Sequence, residues 1–142
     1  MRRVLVAIDG SDNALRALDF AVNLARSAPP TELHVMTVRA PVRVYGEIAV
    51  YATEEHMRDL ASQHVQAALD TAAGRLASSD VRFTLEQVEG PPGETIARHA
   101  DELGCKLIVM GTHGRGRVGS LLMGSVAQTV VHLATVPVTL VK

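Results

Sequence analysis

The sequence predicts a doubly wound α/β domain: a five-stranded parallel sheet in the order 3-2-1-4-5, with four helices on its two faces. Three observations carry that expectation. Short runs of branched apolar residues recur along the 142-residue chain, as strands buried on both faces require. Between them lie segments whose apolar residues return every three to four positions, the period of a helix. Right-handed crossovers between parallel strands then place helices on both faces.

The elements follow in order. Val4-Leu5-Val6-Ala7-Ile8 reads as the first strand and ends at the turn Asp9-Gly10-Ser11. From there Leu15, Leu18, Ala21/Val22 and Ala25 mark an amphipathic helix, with Ser11 or Asp12 as N-cap and Pro29-Pro30 as its stop. Leu33 to Val38 is the second strand. The Arg39–Ala52 loop, with Pro41, Gly46, Tyr45 and Tyr51, has the length of a functional or moving segment. Thr53-Glu54-Glu55 opens a second helix, whose Met57, Leu60/Ala61, Val65, Ala68/Leu69, Ala72 and Leu76 form one apolar stripe. Val81, Phe83 and Leu85 alternate with polar residues, the pattern of an edge strand. Gly90-Pro91-Pro92-Gly93 breaks the chain before a helix through Ile96, Ala97, Ala100 and Leu103, closed by Gly104. Leu107 to Met110 is the fourth strand, Ser125 to Ala134 the last helix and Val136 to Val141 the fifth strand.

Composition excludes several functions. With 14 basic against 15 acidic residues there is no broad positive field for nucleic acid or an anionic membrane. Aromatic residues are only 3%, too few for base-stacking platforms. A single cysteine, Cys105, can form no internal disulfide and no zinc site, and it reads as an inert structural thiol of a cytoplasmic protein. No apolar run is long enough for a membrane span, and Asp9 interrupts the opening segment too early for a signal peptide. His56 and His64 lie two turns apart on one helix and cannot share a metal.

In such folds ligands lie beyond the carboxyl ends of the strands where the winding reverses, here after the first and fourth strands. The second of these loops runs from Gly111 to Gly124 and leads into Ser125-Val126-Ala127. Its glycines leave backbone amides uncovered, Gly124-Ser125 stands at a helix N-terminus, and Arg115 and Arg117 lie between. This is a cradle for an anion, a nucleotide's phosphate chain in particular. A P-loop it is not, since no lysine precedes its serine. A dinucleotide fingerprint is absent too, because only Gly10 follows the first strand.

The spacing Gly111-x2-Gly114-x9-Gly124-Ser125 closely resembles the ATP-binding motif of the universal stress protein family. The likeness spans nearly the whole chain, through Val4 to Ser11, Leu33-His34-Val35, Leu107 to Gly111, Gly124 to Ala127 and Val136-Pro137-Val138. It implies the adenine nucleotide alpha-hydrolase-like arrangement, a single domain over residues 1–142, ATP with Mg²⁺ or Mn²⁺ as ligand, and a homodimer through the C-terminal strand. It puts Asp9 by the ribose and the metal-phosphate region, lets Val38 hold adenine through its backbone, and lines the base pocket with Ala7, Ile8 and Met110. Gly111, His113, Gly114, Gly124, Ser125 and Val126 would meet ribose and phosphates. Arg115 is either a solvated loop charge or, with Arg117, a clamp on the γ-phosphate. Lys106 departs from the family's frequent acid before the fourth strand, which touches a local ion pair rather than the nucleotide.

The function expected is regulatory: ATP orders the loops, and a protein partner distinguishes loaded from empty molecules. The competing reading is a slow ATPase, or a protein phosphorylating itself on Ser120 or Ser125. Against it stand the missing phosphate-binding lysine and the lack of a base to activate water. A bare dimerising scaffold is the third, and the intact glycine spacing argues against it.

Overall fold

Branched runs become strands because only a pleated, doubly covered surface buries every one of their side chains. A computed structural model describes residues 1–41, 53–114 and 123–142. In it β1 (Arg2–Ala7), β2 (Thr31–Arg39), β3 (Arg82–Glu89), β4 (Leu107–Gly111) and β5 (Val138–Val141) form one sheet in the order β3-β2-β1-β4-β5. Every pairing is parallel, with Val6 opposite Val35 on one side and Val109 on the other. Four helices are described: α1 (Asp12–Ser27), α2 (Glu54–Ala77), α3 (Pro92–Glu102) and α4 (Ser125–Leu133).

The pleat divides the core in two. Val4, Val6, Leu33, Val35 and Val109 face α1 and α2, where Leu18, Ala21, Ala72 and Leu76 meet them. Leu5, Ala7, Met36, Ile108 and Met110 face α3 and α4, against Ile96, Ala100, Ala127 and Val130. Each such leucine, isoleucine or valine adds about 1.5–3 kcal/mol by leaving water. The helix ends are chemically explicit: Ser11 accepts from the Ala14 N–H at 3.2 Å and caps α1, and Thr53 accepts from the His56 N–H at 3.1 Å and caps α2. Gly104, at φ +63°, lies just beyond the Leu103 cap of α3, in the left-handed region that glycine tolerates.

Several expected boundaries move: β2 runs Thr31–Arg39 rather than Leu33–Val38, and β4 continues to Gly111. β1 starts two residues early, at Arg2, whose N–H bonds Pro30, and stops at Ala7; Ile8 still donates its N–H to Met36 at 2.9 Å. β5 begins at Val138 rather than Val136, although the Pro137 carbonyl still accepts from Ile108. α4 ends at Leu133, with Ala134 as its cap. The stripe on α2 is buried only from Val65 onward: Leu60 is 40% exposed and Met57 half-buried. Cys105 is buried, and burial pushes its thiol pKa up, so little reactive thiolate forms. Lys106 is exposed and takes part in no ion pair among the described residues; near it Arg3 pairs with Glu32 at 3.4 Å and donates to the Leu103 carbonyl. His56 and His64 are both exposed.

Candidate functional site

The winding reverses between β1 and β4, and the carboxyl ends of those strands open into a cavity of about 540 Å³. That volume lies within the range of small-molecule sites. Its floor and one wall are apolar: Ala7 and Ile8 from the end of β1, Val38 from β2, Met110 from β4, and Pro92 and Ile96 from α3. The opposite rim is polar, made of Asp9, the turn Gly111 to Gly114, and Gly124 and Ser125 at the start of α4. An apolar slot ending in polar backbone suits a flat ring joined to an anionic chain.

The rim is shaped by close approaches. Gly111 has no room for a side chain, since a Cβ there would lie 2.9 Å from Asn13 Cβ and 3.1 Å from the Ala14 amide. The start of α1 therefore packs directly on the end of β4. The Gly124 N–H donates to the Thr112 carbonyl at 2.8 Å, and a Cβ on Gly124 would lie 3.4 Å from His113 Cα. That bond lays α4 against the turn. Gly124 is the N-cap of α4 and contributes no side-chain cap, so the helix's first N–H groups and positive dipole end have no such partner. Backbone donors at such a helix start can take an anion.

Asp9 divides its two oxygens. Oδ1 accepts from the Ser11 N–H at 2.9 Å, which holds the β1–α1 turn, with Gly10 at φ +83° in the left-handed region that turn needs. Oδ2 faces Gly114: a Cβ there would come within 2.8 Å of it. The carboxylate thus stands on the same rim as the Gly111–Gly114 turn, which also borders Gly124 at the start of α4. Ser11 acts as the helix cap, the role expected of it.

Comparison with known proteins bears on what such a site is for. The model of the universal stress protein family matches residues 1–142. The chain belongs to the universal stress protein family. Universal stress protein YxiE of Bacillus subtilis (strain 168) is 34% identical over 146 residues, covering 99% of this chain and 98% of its own length. Among solved structures, universal stress protein UspA from Lactobacillus plantarum superposes with a TM-score of 0.84 at 24% identity, covering 99% of this chain and 97% of its own, a likeness of fold. A universal stress protein in complex with cAMP aligns with a TM-score of 0.73 and 26% identity, covering 99% of this chain and 97% of its own.

For a universal stress protein domain the sequence located the cavity well. Ala7, Ile8, Asp9, Val38, Met110, Gly111, His113, Gly114, Gly124, Ser125 and Val126 all line it. Arg115, with Arg117 and Ser120, lies outside the described residues, as does most of the Arg39–Ala52 loop. The sequence reading missed Ala14, Ala40, Pro92, Ile96, Thr112 and Ala127, which line the same space. Pro92 and Ile96 carried a weak signal: a helix starting with Pro-Gly beside a reversal point is placed to reach a ligand. Among the described residues no three His, Cys, Asp or Glu side chains cluster as a metal site, so Asp9 is the one carboxylate at the rim. Magnesium suits that poverty, since it is commonly held by one or two carboxylates together with substrate phosphates and water.

Proposed function

We propose that this universal stress protein is an ATP-binding regulatory module, and that binding rather than turnover is its output. The observation that carries the reading is the pairing, in one cavity, of an apolar slot between β1, β2 and α3 with backbone donors at the start of α4. Adenine fits the slot, and the phosphates fit the amides. Asp9 Oδ2 would hold a magnesium or manganese ion jointly with the phosphates, adding charge neutralisation at the β–γ end. The relative solved with cAMP supports the adenine part of this reading. Occupancy ties the Asp9 turn to the Gly111–Gly114 turn, and a protein partner reads that state by differential affinity.

A second copy is proposed to pair along β5. That strand is the sheet's edge on the β4 side, and Val131 and Leu133 of the neighbouring α4 are 46% and 44% exposed. An open apolar edge is a template for another strand.

Isothermal calorimetry on nucleotide-stripped protein, with ATP, GTP, AMP and cAMP in the presence of magnesium, tests the site. Micromolar or weaker binding of ATP with discrimination against GTP is expected; equal affinity for both, or no heat with any, overturns the reading. Hydrolysis should run far below the enzyme median of about 10 per second, because amides alone supply no base. A steady rate above about 1 per second that is lost in Asp9→Asn would establish an ATPase instead.

A further inference from the structure

Away from the cavity, β2 and β3 bring a hydroxyl, an imidazole and a carboxylate into one line. His34 stands opposite Thr84 in the β2–β3 register and Met36 opposite Glu86, so the pleat puts all three side chains on the α3 face of the sheet. Glu86 Oε2 lies 2.7 Å from His34 Nε2, and Thr84 Oγ1 lies 2.8 Å from its Nδ1. His34 is buried at 8% exposure, whereas Thr84 is exposed and Glu86 half-buried. None of the three lines the cavity beyond β1 and β4.

With a neutral ring the protons along this line have one arrangement. An ionised carboxylate only accepts, so Nε2 must carry the hydrogen that lies between it and Glu86. A neutral imidazole has a single N–H, which leaves Nδ1 as a lone pair. The Thr84 hydroxyl faces that lone pair and donates to it. A hydroxyl, a base and an orienting carboxylate in this order are the parts of an activated nucleophile. Neighbouring charges are engaged elsewhere: Arg3 pairs with Glu32 at 3.4 Å, Arg82 reaches the Met1 sulfur at 4.0 Å, His99 Nδ1 bonds the Thr95 carbonyl at 3.0 Å, and Arg98 lies 3.9 Å from Glu102.

The sheet edge supplies a further part. The Gly90 N–H donates to the Arg39 carbonyl, so by alternation the even-numbered residues of β3 turn their backbone groups toward β2, and Phe83 and Leu85 turn theirs outward. β3 is an edge strand, and among the described residues no strand lies beside those amides. The Leu85 N–H directly follows Thr84 in the chain, a donor for the carbonyl oxygen of a group bonded to the hydroxyl.

We propose that Thr84 is an acyl-acceptor site, with His34 as its base and Glu86 as a positioning residue, and that it takes the acyl group of an activated ester or thioester. Thr84 Oγ1 attacks the acyl carbon and passes its proton to His34 Nδ1. The bond from that carbon to the leaving oxygen or sulfur then breaks, and His34 returns the proton to the leaving group. The products are O-acyl Thr84 and the free hydroxyl or thiol compound. The site is independent of the nucleotide reading.

The test incubates the full chain with p-nitrophenyl acetate and follows acetylation residue by residue with tandem mass spectrometry of its peptides, over time and over a series of pH values. Thr84 should gain one acetyl group, at a rate that rises as the imidazole loses its proton. The exposed Thr71, whose hydroxyl donates to the Ala67 carbonyl at 2.9 Å, should stay unmodified. Thr84→Ser should keep the label and Thr84→Val should lose it. His34→Gln should slow acetylation of Thr84 at least about 100-fold, the low end of what a positioned base supplies. Glu86→Gln should slow it about tenfold, the scale of one hydrogen bond to a charged group, and should move its rise to lower pH, because the imidazolium loses the anion that favours it. A wild type with no acetyl group on Thr84, or with Thr71 acetylated as fast, makes the three residues a structural clip and overturns the proposal. So does an unchanged rate in His34→Gln, or an unchanged rate and pH profile in Glu86→Gln where His34→Gln does not fold.

Discussion

Gly114 and Gly111 both lack side chains at the cavity rim, but for different physical reasons. At Gly111 an added Cβ would strike the backbone of α1, with Asn13 C at 3.0 Å and the Ala14 amide at 3.1 Å, and neither can move without shifting the helix. At Gly114 it would meet, among the described residues, only the carboxylate end of the Asp9 side chain, and the residue itself is exposed. Gly114→Val should therefore leave the fold intact while filling the space the phosphates need. Circular dichroism should stay native, with ATP binding weakened at least about tenfold, the loss of one to two charge-assisted contacts. Normal binding by a native-like Gly114→Val protein would place the cradle elsewhere. The sequence spacing marked both glycines alike; the distinction needs the third dimension, because Asn13 and Gly111 are remote in the chain and meet only through the packing of α1 on β4.

Helices α3 and α4 cross at Gly93 and Thr129, where a Cβ on Gly93 would come within 2.5 Å of Thr129 Cβ and 2.6 Å of its Cγ2. Thr129 is one turn along from Ser125, so the crossing sets where the α4 N-terminus sits. Gly93→Ala should cost about 1–3 kcal/mol by overpacking. In a domain of this size that lowers the melting temperature by several degrees, at roughly 2–8 °C per kcal/mol. Because the strain is relieved by moving α4, ATP affinity should fall as well. Scanning calorimetry and nucleotide titration of the same variant check both, and unchanged values in each would show that the crossing does not position the site. At this scale the sequence was legible in type and less so in use. The strands follow from branched runs, and the caps Ser11, Thr53 and Gly104 from local chemistry that needs no distant partner. Gly93 reads as part of a Gly-Pro-Pro-Gly break, yet it is a helix contact surface, since nothing local distinguishes a turn glycine from a packing glycine. The α2 stripe runs from Met57 to Leu76 in sequence, but its burial in the structure begins at Val65, and Leu60 stays exposed.

The two edges of the sheet differ in character. β3 carries Arg82, Thr84, Glu86, Gln87 and Glu89, with Glu86 2.7 Å from the buried His34, and charged side chains of this kind discourage further pairing. β5 carries only Val138, Thr139, Leu140 and Val141. In β5 the Pro137 and Val141 carbonyls point to β4, so by alternation the backbone groups of Val138 and Leu140 point outward. Leu140 itself packs on the α4 face of the core, which makes it a poor reporter of assembly. The exposed Val131 and Leu133 are better ones. Light scattering should give twice the 15.1 kDa chain mass for the wild type and return toward one chain's mass for Val131→Lys/Leu133→Lys, because a twofold axis sets each cation near its own copy. A wild type that stays at 15.1 kDa up to high micromolar concentration refutes the pairing.

The centre of the sheet also dictates how the molecule is born. β1 holds the middle position, with β2 on one flank and β4 on the other, and the ribosome delivers β1 first. Its β2 flank is satisfied early. Its other flank waits for Leu107–Gly111, so between the completion of β3 at Glu89 and the arrival of β4 the segment Val4 to Ala7 lacks its β4-side partner. At roughly 5–20 residues per second that interval lasts on the order of one to four seconds. During it the growing chain carries an unpaired strand edge, the kind of edge that templates further pairing. The strand order that sets Asp9 beside the glycine turn thus also makes the central strand wait for the fourth to complete its pairing.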